Sequence, residues 1–325
     1  KEQYMKFIYG LIILLCMNAC NEIGNTAKSE KKDVMQEAVD TLRVVLYKQD
    51  EWVKVHAAEF LIWSGNPGGV KEIYGEELQK FNDKSPYRIG IWRVLSQLSD
   101  GAKRKDYEQK VLNAFIDTSG KDRLHAVETL GKLKLSPYNA APGVTKAALE
   151  SNNDALNGYT NWAIAYTDNN AMLDAQKYFY KQLMNPAADI TLRRIAAYVL
   201  RYIQGVSPAQ WNELASYMMS IPNGAEGRIG FLTTAVILAD EASEKTDLYQ
   251  SVYNALLEYR TEKNKGVRIE LANALAAKGI GKDIAMLAEW MRNQTPTGIA
   301  SDDADVQASA AYAILKIFSR VAATN

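Results

Sequence analysis

Two histidines, two cysteines and a scatter of carboxylates are the raw material for any chemistry in this 325-residue chain. His56 and His125 occupy the same place in a recurring segment, two copies apart. Stacked helical layers are spaced by about 10 Å, so side chains two copies apart cannot share a metal ion. His56 with Glu59, or His125 with Glu128, would supply two ligands, whereas protein zinc sites use three or four. Exposed or half-buried histidines are the plainer expectation, and no metal or cofactor is expected. No Gly-x-Ser-x-Gly is present, and no cysteine, serine or histidine is set out as an activated nucleophile. Gly279-Ile280-Gly281-Lys282 lacks the glycine spacing and the preceding strand of a phosphate loop. Asp302-Asp303-Ala304-Asp305 lacks the central glycine and terminal glutamate of a calcium loop. An acid/base carboxylate pair depends on separation in space, which sequence does not give. No catalytic residue is therefore expected. Lys+Arg 38 balance Asp+Glu 38, which argues against nucleic acid as a partner.

The two cysteines direct attention to the start of the chain. After Lys6, an apolar run from Phe7 to Met17 is broken only by Gly10. It is shorter than the roughly 20 residues needed to cross a bilayer. A basic residue, a short apolar stretch and a small residue before a cleavage point are the parts of a secretory signal. Met17-Asn18-Ala19-Cys20 resembles the lipobox of bacterial lipoproteins, with Met17 in place of the usual leucine. The resemblance implies diacylglycerol on the Cys20 thiol and acylation of its amino group after cleavage. Cys16 would leave with the signal, and several acyl chains together meet the requirement for stable anchoring. Residues 1–19 are thus expected to be a signal peptide, and 20–32 a lipidated cysteine with a polar tether. Asn21, where sorting rules of enteric bacteria would place an inner-membrane aspartate, favours the outer membrane.

From Asp33 to the end, one pattern returns eight times: an opening residue, usually a basic residue, then a small-apolar cluster. The copies open at Val53, Tyr87, Asp122, Ala155, Leu192, Gly227, Val267 and Val306, 33 to 40 residues apart. Periods of this size indicate a helical repeat array. Further helical stretches lie between them: Met35 to Tyr47, Gly69 to Phe81, Tyr107 to Phe115, Met172 to Leu183, Gln210 to Met219, Leu248 to Glu258 and Ile284 to Met291. Ser64-Gly65-Asn66-Pro67, Ser136-Pro137, Asn185-Pro186 and Gly205-Val206-Ser207-Pro208 supply turns. The unit is a helix pair, and no strand is required.

Val267-Arg268-Ile269-Glu270-Leu271-Ala272-Asn273-Ala274-Leu275 and Val53 to Leu61 resemble the second helix of HEAT repeats. The resemblance implies an all-α fold, an α-α superhelix (HEAT-like solenoid) of about eight helix pairs over residues 33–325, and regular copies suggest an open array. It also implies that the basic column Lys54, Arg88, Arg123, Arg193, Arg228 and Arg268 forms ladders with acids such as Asp50, Asp83 and Asp302. The second helices would line the concave face, exposing residues three, six and ten places after each opening. Trp63, Arg93, His125, Tyr198 and Tyr202 stand in that stripe as candidate partner-binding residues, since aromatic and arginine anchors mark recognition surfaces; a merely solvated face is the competing reading. The expected function is a membrane-anchored, non-catalytic scaffold or binding lipoprotein of the cell envelope, taking a protein or glycan partner. The alternative is a glycosidase or lyase on an (α/α) toroid.

Overall fold

The computed structural model describes residues 32–323, so the expected signal peptide, Cys20 and the tether up to residue 31 lie outside the described residues. Among the described residues every regular element is a helix. In chain order these are α1 (32–48), α2 (Glu51–Trp63), α3 (Val70–Phe81), α4 (Tyr87–Gln97), α5 (Gly101–Ile116), α6 (Arg123–Leu133), α7 (Pro142–Leu149), α8 (Asp154–Ile164), α9 (Asn169–Met184), α10 (Ile190–Ile203), α11 (Pro208–Ser220), α12 (Arg228–Leu238), α13 (Asp247–Leu257), α14 (Lys265–Lys278), α15 (Ile284–Met291) and α16 (Ala300–Ala323).

The even-numbered helices are the eight copies of the repeated segment, and each odd-numbered helix precedes its partner. Local chemistry sets their starts. Asn153, Asp168, Asp189, Thr246 and Asn264 accept from first-turn amides of α8, α9, α10, α13 and α14. Ser207 and Gln210 form a reciprocal capping box at α11, with Pro208 following the cap. Helix α7 escapes the periodicity because it has only eight residues and opens on Pro142-Gly143, a pair that reads as a turn. Proline is tolerated there because the first helical amide lacks an intrahelical acceptor anyway.

The small-apolar clusters are the core. Val55, Ala58 and Leu61 on α2, Ile91 and Leu95 on α4, Ala196, Val199 and Leu200 on α10, and Leu271, Ala274 and Leu275 on α14 are all buried. Glycines set the closest approaches. A Cβ on Gly131 of α6 would lie 2.5 Å from the Trp162 indole of α8, which is completely buried against it.

The array is an all-α superhelix of eight helix pairs, as the repeat implies, but it is not open. The even helices pack in sequence from α2 to α16, and α16 packs back on α2. At this seam Phe60 stacks on Tyr312 with centroids 4.6 Å apart, and His56 Nδ1 lies 2.9 Å from Asp305 Oδ1. Just beyond α15, Arg292 makes a two-pronged contact to Glu37 of α1 at 2.7 and 2.8 Å. The expectation of an open array fails because both ends present apolar faces. Phe60 and Trp63 near one end meet Tyr312 at the other, where an open array would carry polar capping surfaces.

The basic column is structural, but most of its partners are carbonyls, not acids. Arg123, Arg193, Arg228 and Arg268 each send Nε back to a carbonyl at the end of the preceding odd helix or just beyond it: Phe115, Leu183, Ile221 and Glu262, at 2.7 to 3.3 Å. Helix C-termini carry unpaired carbonyls and partial negative charge, which a guanidinium satisfies. The same groups lie over rings, as with Arg193 on Phe231 and Arg268 on Trp290. Acidic partners appear at Arg88, which reaches Asp122, and at Lys54, which reaches Glu77. Asp50 makes no side-chain cap, and Asp302 pairs with Lys265 instead of a column residue.

Candidate functional site

Closure of the array turns the concave stripes of the even helices toward one another, with the N-terminal ends of those helices at one rim and their C-terminal ends at the other. The middle, between the two rims, is filled by charged contacts. Arg93 is 2% exposed and donates from Nε and Nη2 to Glu59 Oε1 and Oε2 at 2.7 and 2.8 Å. Its Nη1 reaches Thr129 Oγ1 of α6 at 3.3 Å. Gln97 Nε2 also donates to Glu59 Oε1, at 3.1 Å. One turn apart on α6, Lys132 Nζ lies 2.8 Å from Glu128 Oε1.

Burial pushes both carboxyls up, but neighbouring cations outweigh it. Arg93 and Lys132 hold Glu59 below the usual carboxylate range, and Lys132 and Arg93 do the same for Glu128. Both are therefore ionised at neutral pH. Trp52 reaches past α4 to stack on His125 with centroids 5.0 Å apart. Gly90 makes room, since a Cβ there would stand 2.7 Å from Val55 and 3.2 Å from the Trp52 ring. Burial holds the His125 imidazole below its ordinary value against the pull of Glu128.

The C-terminal rim is aromatic. Trp63 and Tyr202 remain 41% and 42% exposed. Trp63 Nε1 donates to Gln97 Oε1 at 2.8 Å, and its ring meets Tyr312 edge-on at 6.1 Å. The hydroxyls of Tyr198 and Tyr202 are 3.2 Å apart, both rings abut Trp162, and Lys132 Nζ lies over Tyr198 at 5.9 Å. Burial raises both tyrosine hydroxyls well above their ordinary value, so they stay protonated hydrogen-bonding groups.

Of the five residues singled out from sequence, Trp63 and Tyr202 thus share a solvent-facing rim, and Tyr198 sits a turn deeper. His125 lies toward the other rim, against Trp52. Arg93 is the exception: its guanidinium is already engaged by Glu59 and Thr129, so it ties α4 to α2 and α6 instead of facing a partner. Sequence marked it because a basic residue at the sixth place of a concave stripe looks exposed; the acid that buries it, Glu59, occupies the same place one repeat earlier.

The N-terminal rim holds a cavity of about 690 Å³ that sequence did not single out. Tyr159 of α8, Arg194, Ile195, Tyr198 and Arg201 of α10, Gly230 of α12 and Glu270 of α14 are among its lining residues. Gly230 stands in its wall at the place of the stripe where α2 and α6 carry His56 and His125, and that glycine was the available signal.

The remaining motifs resolve into separate contacts. Asp302 meets Lys265, Asp303 accepts from the Thr297 amide and hydroxyl at 2.6 Å, and Asp305 meets His56. Gly279 ends α14, and residues 281–283 form a short turn into α15. Among the described residues, no three His, Cys, Asp or Glu side chains are grouped to hold a metal ion, and no helix is long and apolar enough to cross a membrane. In comparisons with family models, curated proteins and solved structures, the chain matches none.

Proposed function

We propose that the protein is a non-catalytic binding lipoprotein of the bacterial cell envelope, HEAT-like in its repeats, tethered through Cys20 with the outer membrane favoured. It takes a glycan or a protein segment at the aromatic rim formed by the C-terminal ends of its even-numbered helices. The observation that carries this reading is the exposure of Trp63 and Tyr202 beside the hydrogen-bonding Gln97 and the Lys132 cation. Aromatic faces beside planar amides suit sugar rings and peptide groups alike. The test is affinity capture from mild-detergent membranes with the wild-type protein and a Trp63→Ala/Tyr202→Ala variant. A stoichiometric protein or bound oligosaccharide is expected with the first and absent with the second. Equal recovery with both refutes the reading.

The alternative, a glycosidase or lyase, gains one supporting observation: the closed array is the toroidal geometry it requires. Against a glycosidase stands the charge state of the central carboxyls. A general acid needs a carboxyl that keeps its proton near neutral pH. Glu59 and Glu128 are instead held ionised by Arg93 and Lys132. Release of reducing ends or unsaturated sugars from envelope polysaccharide, abolished by Glu128→Gln, would favour the enzyme.

A further inference from the structure

We propose that the cavity at the N-terminal rim is a second binding site, separate from the aromatic rim, for a compact zwitterion of the class of short peptides. Its two ion pairs differ in kind. Arg201 is built in: Nε donates to Thr234 Oγ1 at 2.9 Å, Nη2 to the Gly230 carbonyl at 2.8 Å, and Nη1 lies 2.8 Å from Glu270 Oε2. Arg194 is not built in. Its partner Glu226 is 3.3 Å away, and both side chains are more than 60% exposed. Such a surface pair contributes little to the fold, so exchanging it for a ligand carboxylate costs little, and a guanidinium prefers the two-pronged contact a carboxylate offers.

The opposite charge is met deeper. Glu270 Oε2 is held by Arg201 Nη1 at 2.8 Å, while the side chain stays 29% exposed and lines the cavity. An ammonium group entering the cavity donates to the remaining oxygen, Oε1. Between the two charges the walls are apolar or small: Ile195, Ile229, Ile269 and Gly230 line the cavity with the Tyr159 and Tyr198 rings. A volume of about 690 Å³ lies in the roughly 300–1,000 Å³ range of small-ligand pockets. It leaves room for a few small residues. The arrangement therefore selects a ligand with one carboxylate, one ammonium and a small apolar body.

The probe is L-trialanine, titrated calorimetrically into the full chain alongside its N-acetyl and C-terminal amide forms. Saturable binding is expected for the unblocked peptide, weakened at least tenfold by either block and at least tenfold by Arg194→Gln. Arg194 is exposed, so this variant should fold as the wild type does. Gly230→Leu, which fills the cavity without removing a charge, should abolish binding while leaving capture at the aromatic rim intact. Conversely, Trp63→Ala alone, which touches no residue of the cavity, should leave trialanine binding unchanged, so failure at one site is distinguishable from failure at the other. Absence of saturable binding, or binding indifferent to the blocks and to Arg194→Gln, overturns the proposal. So does binding lost in Trp63→Ala and retained in Arg194→Gln.

Discussion

At the residue scale, the Glu59–Arg93 contact is the most consequential pairing in the molecule, because both partners are almost fully buried. Removing one partner of a buried pair strands the other, at a cost of about 3–5 kcal/mol, whereas replacing both with apolar groups of similar size is often neutral or stabilising. Glu59→Leu should therefore lower unfolding free energy by about that much, and adding Arg93→Met should restore most of it, as read by urea denaturation. Recovery below the single variant would mean that Thr129 and Gln97 depend on the charges.

The same pair predicts an acid limb. The Glu59 carboxyl is depressed in the folded state, so its contribution is fully present above the unfolded value of about 4.3 and is lost as pH falls through the folded one. Glu128 adds in the same direction. Wild-type stability should thus decline below about pH 4.3, while the apolar double variant should show a shallower decline, its Glu59 contribution being absent. Parallel profiles would place the acid sensitivity elsewhere. None of this was legible in sequence, where Arg93 and Glu59 appear as exposed members of a groove. Their burial depends on two neighbouring repeats presenting opposite charges at the same place in the stripe.

At the scale of elements, much was legible and the misses have causes. The even helices stand out because each must bury one side against two neighbours, which repeats Ala and Leu at fixed places. Odd helices are more exposed and less regular, so α5 and α9 extend several residues before their apolar stretches, and α7 leaves no periodic trace. Column arginines are visible as a column, but not their carbonyl partners, since backbone acceptors leave no mark in sequence. Glycine gives a matched test of the packing. Gly75 lies within α3, and a Cβ added there would meet nothing within 4 Å, so Gly75→Ala should stabilise by up to about 1 kcal/mol through helix propensity. Gly131→Ala gains the same propensity but drives a methyl into Trp162, and overpacking of this kind costs about 1–3 kcal/mol. The two substitutions should move the thermal midpoint in opposite directions. A shift of the same sign for both would show that Trp162 can move away.

For the whole molecule, closure changes what stability means. In an open array each repeat is held by its nearest neighbours, so the terminal repeats fray first and can be lost with little effect on the middle. Here α2 and α16 are neighbours, and each end supplies the other's missing contact. Sequence could not announce this, because the pattern of a repeat fixes how one copy meets the next and leaves the accumulated rotation over eight copies unspecified. A small change in angle per repeat separates a ring from a spiral. The seam offers the means of testing it. Tyr312→Ala removes the ring stacked on Phe60 and facing Trp63, and truncation of a core aromatic costs about 3–5 kcal/mol, the lower figure applying to a half-buried ring. In the wild type, amide exchange should protect α2 and α16 as strongly as α8. In the variant, protection should fall in α2 and α16 together, although they are remote in sequence, while α8 keeps its own. Loss confined to α16 would mean that the two ends touch without holding one another, and the array would then be a spiral that can part at its seam instead of a closed ring.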